Sequence, residues 1–287
     1  MACHSISFCD VEVDFVRWLR SRGLSGEYVR QIVSYLRRFV REPIRGPMDV
    51  VGVFEGLSVG QRHQLIRAVR NLFNFYESQG LASKEWLNLL RMNIPKDEVG
   101  LDLWIPSEEE IIDSLKALSK AKNCRVYYAL FNLILDSGLR ISEATKFLNS
   151  FKGEAEKQDG FYIASLGYLR KSKKAYYAFF TEYTFKLLNS LDTKLSYKTA
   201  RNSYKIRKRT GKQIVRLKYL RKFAFDKMIS LEVPESVADF IQGRTPKTIG
   251  ARHYMRLKRK ASQFYIRYAK YLTELRLKAG IMSTLFS

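Results

Sequence analysis

Leu217-Lys218-Tyr219-Leu220-Arg221, Gly243-Arg244-Thr245-Pro246-Lys247-Thr248 and Arg252-His253-Tyr254 follow one another within a short span near the C-terminal end. Lys218, Arg221 and Arg244 place three cations ahead of Tyr254. Guanidinium groups hold non-bridging phosphate oxygens in bidentate fashion. A tyrosine hydroxyl beside such a clamp is placed to attack phosphorus and form a phosphoester. A helix is predicted from Arg216 to Ile229, and on it Lys218 and Arg221 lie three residues apart and share a face. Pro234 is expected to start a short helix that Gly243 ends. Thr245 to Thr248 then turn into the helix that bears Tyr254.

Working upstream, Gly138-Leu139-Arg140-Ile141-Ser142-Glu143 adds another arginine. Val126 to Leu135 reads as a buried helix that stops at Asp136-Ser137-Gly138, and the next helix begins around Arg140. Apolar flanks half bury Arg140, and a buried guanidinium needs a carboxylate or a bound phosphate. Glu143 can orient it. Taken alone, the two residues read more simply as a structural pair. Further on, Phe161 to Leu166 and Ala175 to Phe180 are rich in strand formers. Between them lies Arg170-Lys171-Ser172-Lys173-Lys174. This predicts a short sheet with a dense basic turn, either solvated or reaching a minor groove beside a scissile phosphate. Lysine suits proton donation to a departing 5′ oxygen, and Lys171, Lys173 and Lys174 are all placed to supply it.

The chain has 287 residues, 51 Lys and Arg against 28 Asp and Glu, and a formal net charge of +23. That length suits two domains, and a 46% hydrophobic content is enough for packed cores. So large a positive charge calls for a polyanion, and nucleic acid is the leading one. A membrane partner is disfavoured, because the basic residues spread over several predicted helices and no apolar run is long enough to cross a bilayer. Cys3, Cys9 and Cys124 are few and unpatterned, which suggests a reducing interior. With no secretory start visible, a cytoplasmic, DNA-associated location is expected. The three histidines are too scattered for a metal cluster, so no metal or cofactor is expected.

Val11 to about Arg91 shows helical periodicity, with Gly23, Gly46-Pro47 and Gly80 as breaks. Arg37, Arg38 and Arg41 lie close together on one of these helices, as a solvated face or as contacts to a DNA backbone. Asn93 to Pro106 is short of helical pattern. Ser107 and Glu110 then form a capping box. Tyr197 to Arg209, which includes Arg207, reads as one strongly basic helix suited to a groove or backbone, with Gly211 as its C-cap. A long amphipathic helix is predicted from Met255 to Leu277. The tail beyond Gly280 (Ile281, Met282, Leu285, Phe286) packs either on its own domain or on a neighbouring subunit.

Together these residues resemble the tyrosine recombinase (integrase) family, and most closely the integrases of archaeal viruses and plasmids, of the fusellovirus type. Gly138 to Glu143 looks like the family's first arginine box, and the basic turn at Lys171 like its β-hairpin lysine. The family's second box usually shows His-x-x-Arg, then His or Trp, then Tyr. Here it reads Lys218-x-x-Arg221, then Arg244, then Tyr254. Lysine at 218 keeps a phosphate-binding role, and arginine at 244 supplies positive charge where a neutral donor is usual. The resemblance runs from about Trp104 onward and is compatible with the N-terminal helices.

It implies a mainly α fold with a small antiparallel β-sheet. A helical core-binding domain would occupy residues 1–95, a linker 96–106, and a mixed α+β catalytic domain 107–287. It implies a DNA recombinase, free of metal and cofactor, in which Tyr254 forms a 3′-phosphotyrosine bond. Arg140, Arg221, Arg244 and Lys218 would steady the phosphate and Lys171 would protonate the 5′ oxygen. Lys173, Lys174, Arg207, Arg37, Arg38 and Arg41 would hold double-stranded DNA at its attachment sites. The working form would be a homotetramer on two duplexes. The same chemistry would also serve relaxation of a single duplex, as in type IB topoisomerases, and a decayed site would leave a DNA-binding protein.

Overall fold

A computed structural model of the chain describes residues 5–98, 100, 102–166, 176–202, 206–207, 210–244 and 257–282. It divides into two compact units, Met1–Asp102 and Leu103–Ser287.

The first unit is helical: α1 (Phe8–Ser21), α2 (Gly26–Phe39), α3 (Pro47–Val53), α4 (Val59–Ser78) and α5 (Lys84–Met92). Each helix buries one stripe. On α2 the stripe is Val29, Ile32, Val33 and Leu36, the i, i+3, i+4, i+7 spacing of one helix face. Serines open three of the helices: Ser25, Ser58 and Ser83 accept backbone N–H groups of Tyr28, Gln61 and Trp86, which satisfies donors that a helix start leaves unpaired. The chain start is fastened by an Ile6–Ile44 bridge. Tyr76 on α4 adds to this, since its hydroxyl accepts from the Ser7 N–H and donates to the Ser7 carbonyl.

The second unit mixes helices with a small sheet: α6 (Glu108–Lys120), α7 (Arg125–Ser137), α8 (Ile141–Ser150), β1 (Glu156–Lys157), β2 (Phe161–Ser165), β3 (Tyr177–Thr181), α9 (Glu182–Asn189), α10 (Tyr197–Arg201), α11 (Leu217–Ser230), α12 (Glu235–Ile241) and α13 (Leu257–Lys278). Ser107 and Glu110 form the expected capping box at the start of α6. The sheet is antiparallel in the order β1-β2-β3, with Phe161 opposite Thr181 and Ile163 opposite Phe179. Two strands were expected here, and β1 is too short and exposed to be read from side-chain alternation. The long basic helix expected from Tyr197 to Arg209 is not continuous. It leaves helical geometry at Asn202, which has ψ 78°. No helix among the described residues is long and apolar enough to cross a membrane.

The middle of this unit is α7, whose residues from Tyr127 to Ser137 are all buried. Its C-terminal turn shows where the carbonyls left over by a helix end can go. Gly138, in the left-handed region at φ 60°, turns its N–H back to the Ile134 carbonyl. The Leu135 carbonyl accepts the Tyr268 hydroxyl and the Asp136 carbonyl accepts the Tyr265 hydroxyl. Both tyrosines come from α13. Asp136 also binds through its side chain: one oxygen accepts the Thr181 N–H and the Thr181 and Thr184 hydroxyls, and the other pairs with Arg276. Arg276 is fully buried and also donates to Asn132 and Thr181. Burial pulls the Arg276 guanidinium down, but the Asp136 charge and hydrogen bond outweigh this and hold it above its ordinary range. The end of α7, the β3–α9 junction and the last turns of α13 are therefore one fastened unit.

Candidate active site

Two residues past that fastened end, Arg140 is the N-cap of α8. Glu143, 1% exposed, accepts both the Arg140 backbone N–H (3.1 Å) and its Nη1 (2.9 Å). Arg140 Nη1 also donates to the Gly243 carbonyl at 3.3 Å. The Arg140–Glu143 pair thus exists, and it reaches across to the loop after α12.

Arg221 enters from α11. Its Nη1 donates to the Gly138 carbonyl at 2.6 Å and to the Gln242 carbonyl at 2.8 Å. Gln242 closes the contact by donating its Nε2 to the Arg221 carbonyl at 2.9 Å. Arg221 Nη2 is buried and has no hydrogen-bond partner among the described residues. Burial, and then the neighbouring Arg244 and Arg140 charges, push the Arg221 guanidinium down to about 9. A cation so placed is short of an anion, because burying a charge is costly unless a partner compensates it.

Arg244 completes the cluster. Its backbone N–H donates to the Asp239 carbonyl (2.7 Å) and its Nη1 to the Asp239 carboxylate (3.0 Å). Its guanidinium carbon lies 4.9 Å from the centre of the Phe225 ring. The fold therefore brings Arg140, Arg221 and Arg244 together from a helix junction, a helix face and a loop.

The other predicted residues fall differently. Lys218 is exposed, one turn before Arg221, with its ammonium 4.2 Å from the centre of the Tyr219 ring. Tyr219 packs edge-on against Trp104 at 4.3 Å. Arg207 is exposed and lines an open cavity of about 600 Å³ together with Trp104, Arg216 and Tyr219. In the first unit, Arg37, Arg38 and Arg41 border a groove of about 1040 Å³ between α1 and α2, floored by Val16, Val29 and Val33. Arg37 is already held by Glu12 through its Nε, and Arg38 lies over the Phe39 ring. Tyr254, Lys171, Lys173 and Lys174 lie outside the described residues, as do Leu285 and Phe286. Ile281 of the tail is described and is 3% exposed.

Three residues in the cluster have roles there that the sequence does not signal. Asp239 and Gln242 are single polar residues in a short helix and the turn after it, and only the fold shows that they face arginines. Gly138 could be read as a helix stop, but not as a close approach. A Cβ on Gly138 would lie 2.5 to 2.7 Å from the Gln242 side chain. Gly138→Ala is expected to destabilise the protein by at least about 2 kcal/mol, from left-handed strain and overpacking together. It should also displace the Arg221 clamp. A thermal melt within about 1 °C of the native protein's would contradict this.

This arrangement defines a class. Converging arginines on a basic, mainly helical chain are chemically suited to a phosphodiester. The chain belongs to the archaeal phage integrase family, whose model matches residues 103–271. It is accordingly a tyrosine site-specific recombinase, acting on DNA as an oligomer. Two solved structures are similar at low identity. The integrase from mycobacterium phage Brujita is 14% identical, with 88% of this chain and 90% of that one covered and a TM-score of 0.41. The crystal structure of XerA recombinase is 18% identical, with 94% and 99% covered and a TM-score of 0.36. No curated protein sequence matches the chain.

Proposed function

We propose that this recombinase cleaves and rejoins DNA at attachment sites through Tyr254, integrating and excising a mobile element inside the host cell. The supporting observation is the arginine cluster, in which the buried Arg221 Nη2 lacks a partner among the described residues. A non-bridging oxygen of the scissile phosphate would supply one. Tyr254 attacks phosphorus, the bond to the 5′ oxygen breaks, and a 3′-phosphotyrosine forms. Arg140, Arg221 and Arg244, helped by Lys218, stabilise the charge that builds on the pentacoordinate phosphorus. A lysine of the basic turn, Lys171 foremost, gives its proton to the leaving 5′ oxygen. The phosphoester energy stays in the covalent link, so a 5′ hydroxyl from a partner strand can reverse the step. The residues up to about 95 serve as a core-binding domain and those from 107 as the catalytic domain. Lys173, Lys174, Arg207, Arg37, Arg38 and Arg41 hold the DNA backbone, and the working assembly is a tetramer on two duplexes.

The direct test uses nicked duplexes, selected by the native protein from a randomised pool for covalent adduct formation. Peptide mapping of the adduct should find the phosphonucleotide on Tyr254. An adduct on another residue, or none from any duplex in the pool, would overturn the proposal.

The proton donor has its own signature. Removing the general-acid lysine should slow cleavage about 10²- to 10⁴-fold. Sulfur in place of the bridging 5′ oxygen makes a leaving group that needs no proton. Of Lys171→Ala, Lys173→Ala and Lys174→Ala, the variant that such a substrate restores has lost the donor. If the substrate restores none of the three, the donor is not in this turn.

A further inference from the structure

The site holds a carboxylate that the proposed chemistry does not use. Asp239 on α12 is 4% exposed, yet its partner Arg244 is 38% exposed at the side chain. Asp239 fastens Arg244 at both ends, through its carbonyl to the backbone N–H and through its carboxylate to Nη1. We infer that Asp239 is a positioning residue, which holds the Arg244 guanidinium aimed at the scissile phosphate. This rests on the reading of Arg244 as a phosphate ligand.

Three features carry the inference. First, Arg140, Arg221 and Arg244 bring like charges to one site, and after burial the Arg244 and Arg140 charges are what depress Arg221. The repulsion favours swinging a half-exposed arginine out to solvent, and a buried opposite charge counters that. Second, the device is used twice. Arg140, also half-exposed, is held at Nη1 by the buried carboxylate of Glu143, at 2.9 Å against 3.0 Å for Arg244. Arg221, partly buried with its Nη2 enclosed, is held by two carbonyls instead. Third, desolvating the Asp239 carboxylate is costly, and a partly exposed ion pair returns little stability. The arrangement makes better sense as alignment than as glue. The carboxylate takes one corner of a five-donor fork. The Phe225 ring lies against the guanidinium, so the group is held by a face as well as by a corner.

A double-mutant cycle tests this, with single-turnover cleavage of the selected nicked duplex as the readout. Asp239→Asn keeps the shape and removes the charge. It is expected to slow cleavage about 10- to 100-fold with DNA affinity unchanged. In an Arg244→Ala background the same change should cost nothing further, since there is no guanidinium left to aim. Asp239→Glu keeps the charge and moves it by one methylene, so it should also slow cleavage, measured below the variant's melting temperature.

Equal losses from Asp239→Asn in both backgrounds would show a purely structural carboxylate and overturn the inference. So would full-rate cleavage by Asp239→Glu. A slow Arg244→Ala beside a full-rate Asp239→Asn would remove the role of Asp239 alone. A full-rate Arg244→Ala would remove the underlying reading of Arg244, and the inference with it.

Discussion

Tyr254→Phe is expected to lower cleavage of the nicked duplex by about 10⁴-fold or more, with no covalent adduct and native DNA affinity. Removing the nucleophile of a covalent mechanism costs on this scale, because binding and charge stabilisation alone leave only a residue of catalysis. The chain has 17 tyrosines, so the replacement also tests whether another can substitute. The structure argues against several. The Tyr265 and Tyr268 hydroxyls are buried and already given to the carbonyls of Asp136 and Leu135. Burial, joined by the Asp136 charge, raises both well above the usual tyrosine range. Tyr127 and Tyr183 are raised by burial in the same way. A phenolate in any of these places would be an uncompensated buried charge. The measurement is the yield of protein–DNA adduct after denaturing electrophoresis. An undiminished yield would mean that Tyr254 is not the nucleophile.

Arg276→Ala should have the largest effect on stability. Arg276 and Asp136 are both fully enclosed, and removing one partner of such a pair strands the other charge. The expected cost is 3–5 kcal/mol, on the order of what such truncations carry. For a unit of this size that is a fall in Tm of roughly 6–20 °C. The loss should spread to the site as well. Asp136 is tied to β3 and α9 through Thr181 and Thr184, and its helix ends at the turn that leads to Arg140. Cleavage should therefore weaken even at temperatures where the variant is folded. Thermal unfolding followed by circular dichroism checks the first part. A Tm within about 2 °C of native would show that the buried pair contributes little.

Much of the fold is written locally. The serines that start helices, the apolar stripe of α2, Gly138 as a stop and the Ser107–Glu110 box each depend on neighbours within four residues. Such patterns act on the backbone directly, through unpaired N–H groups and side-chain direction. The break at Asn202 was missed. Residues 197 to 209 are mostly helix-compatible, and Asn202-Ser203, a pair that favours caps and turns, was the one local mark. Strand β1 was missed for a related reason, since two exposed residues have no alternation to read.

The site divides in the same way. Arg140, Arg221 and Arg244 could be singled out in the sequence because their types and order resemble the arginine boxes of the recombinase family. Of their partners, only Glu143, three residues from Arg140, could be. Asp239, Gln242 and the carbonyl of Gly138 become ligands of arginines only when α7, α11 and α12 converge. Arg276 lies on a helix read only as amphipathic, and enclosure beside Asp136 makes it part of the core. Charge, residue type and helix boundaries belong to the chain itself, since each acts over a few residues or over none. Burial, and with it an Arg221 Nη2 left without a partner among the described residues, belongs to the fold, because desolvation depends on what distant segments bring to the same few ångströms.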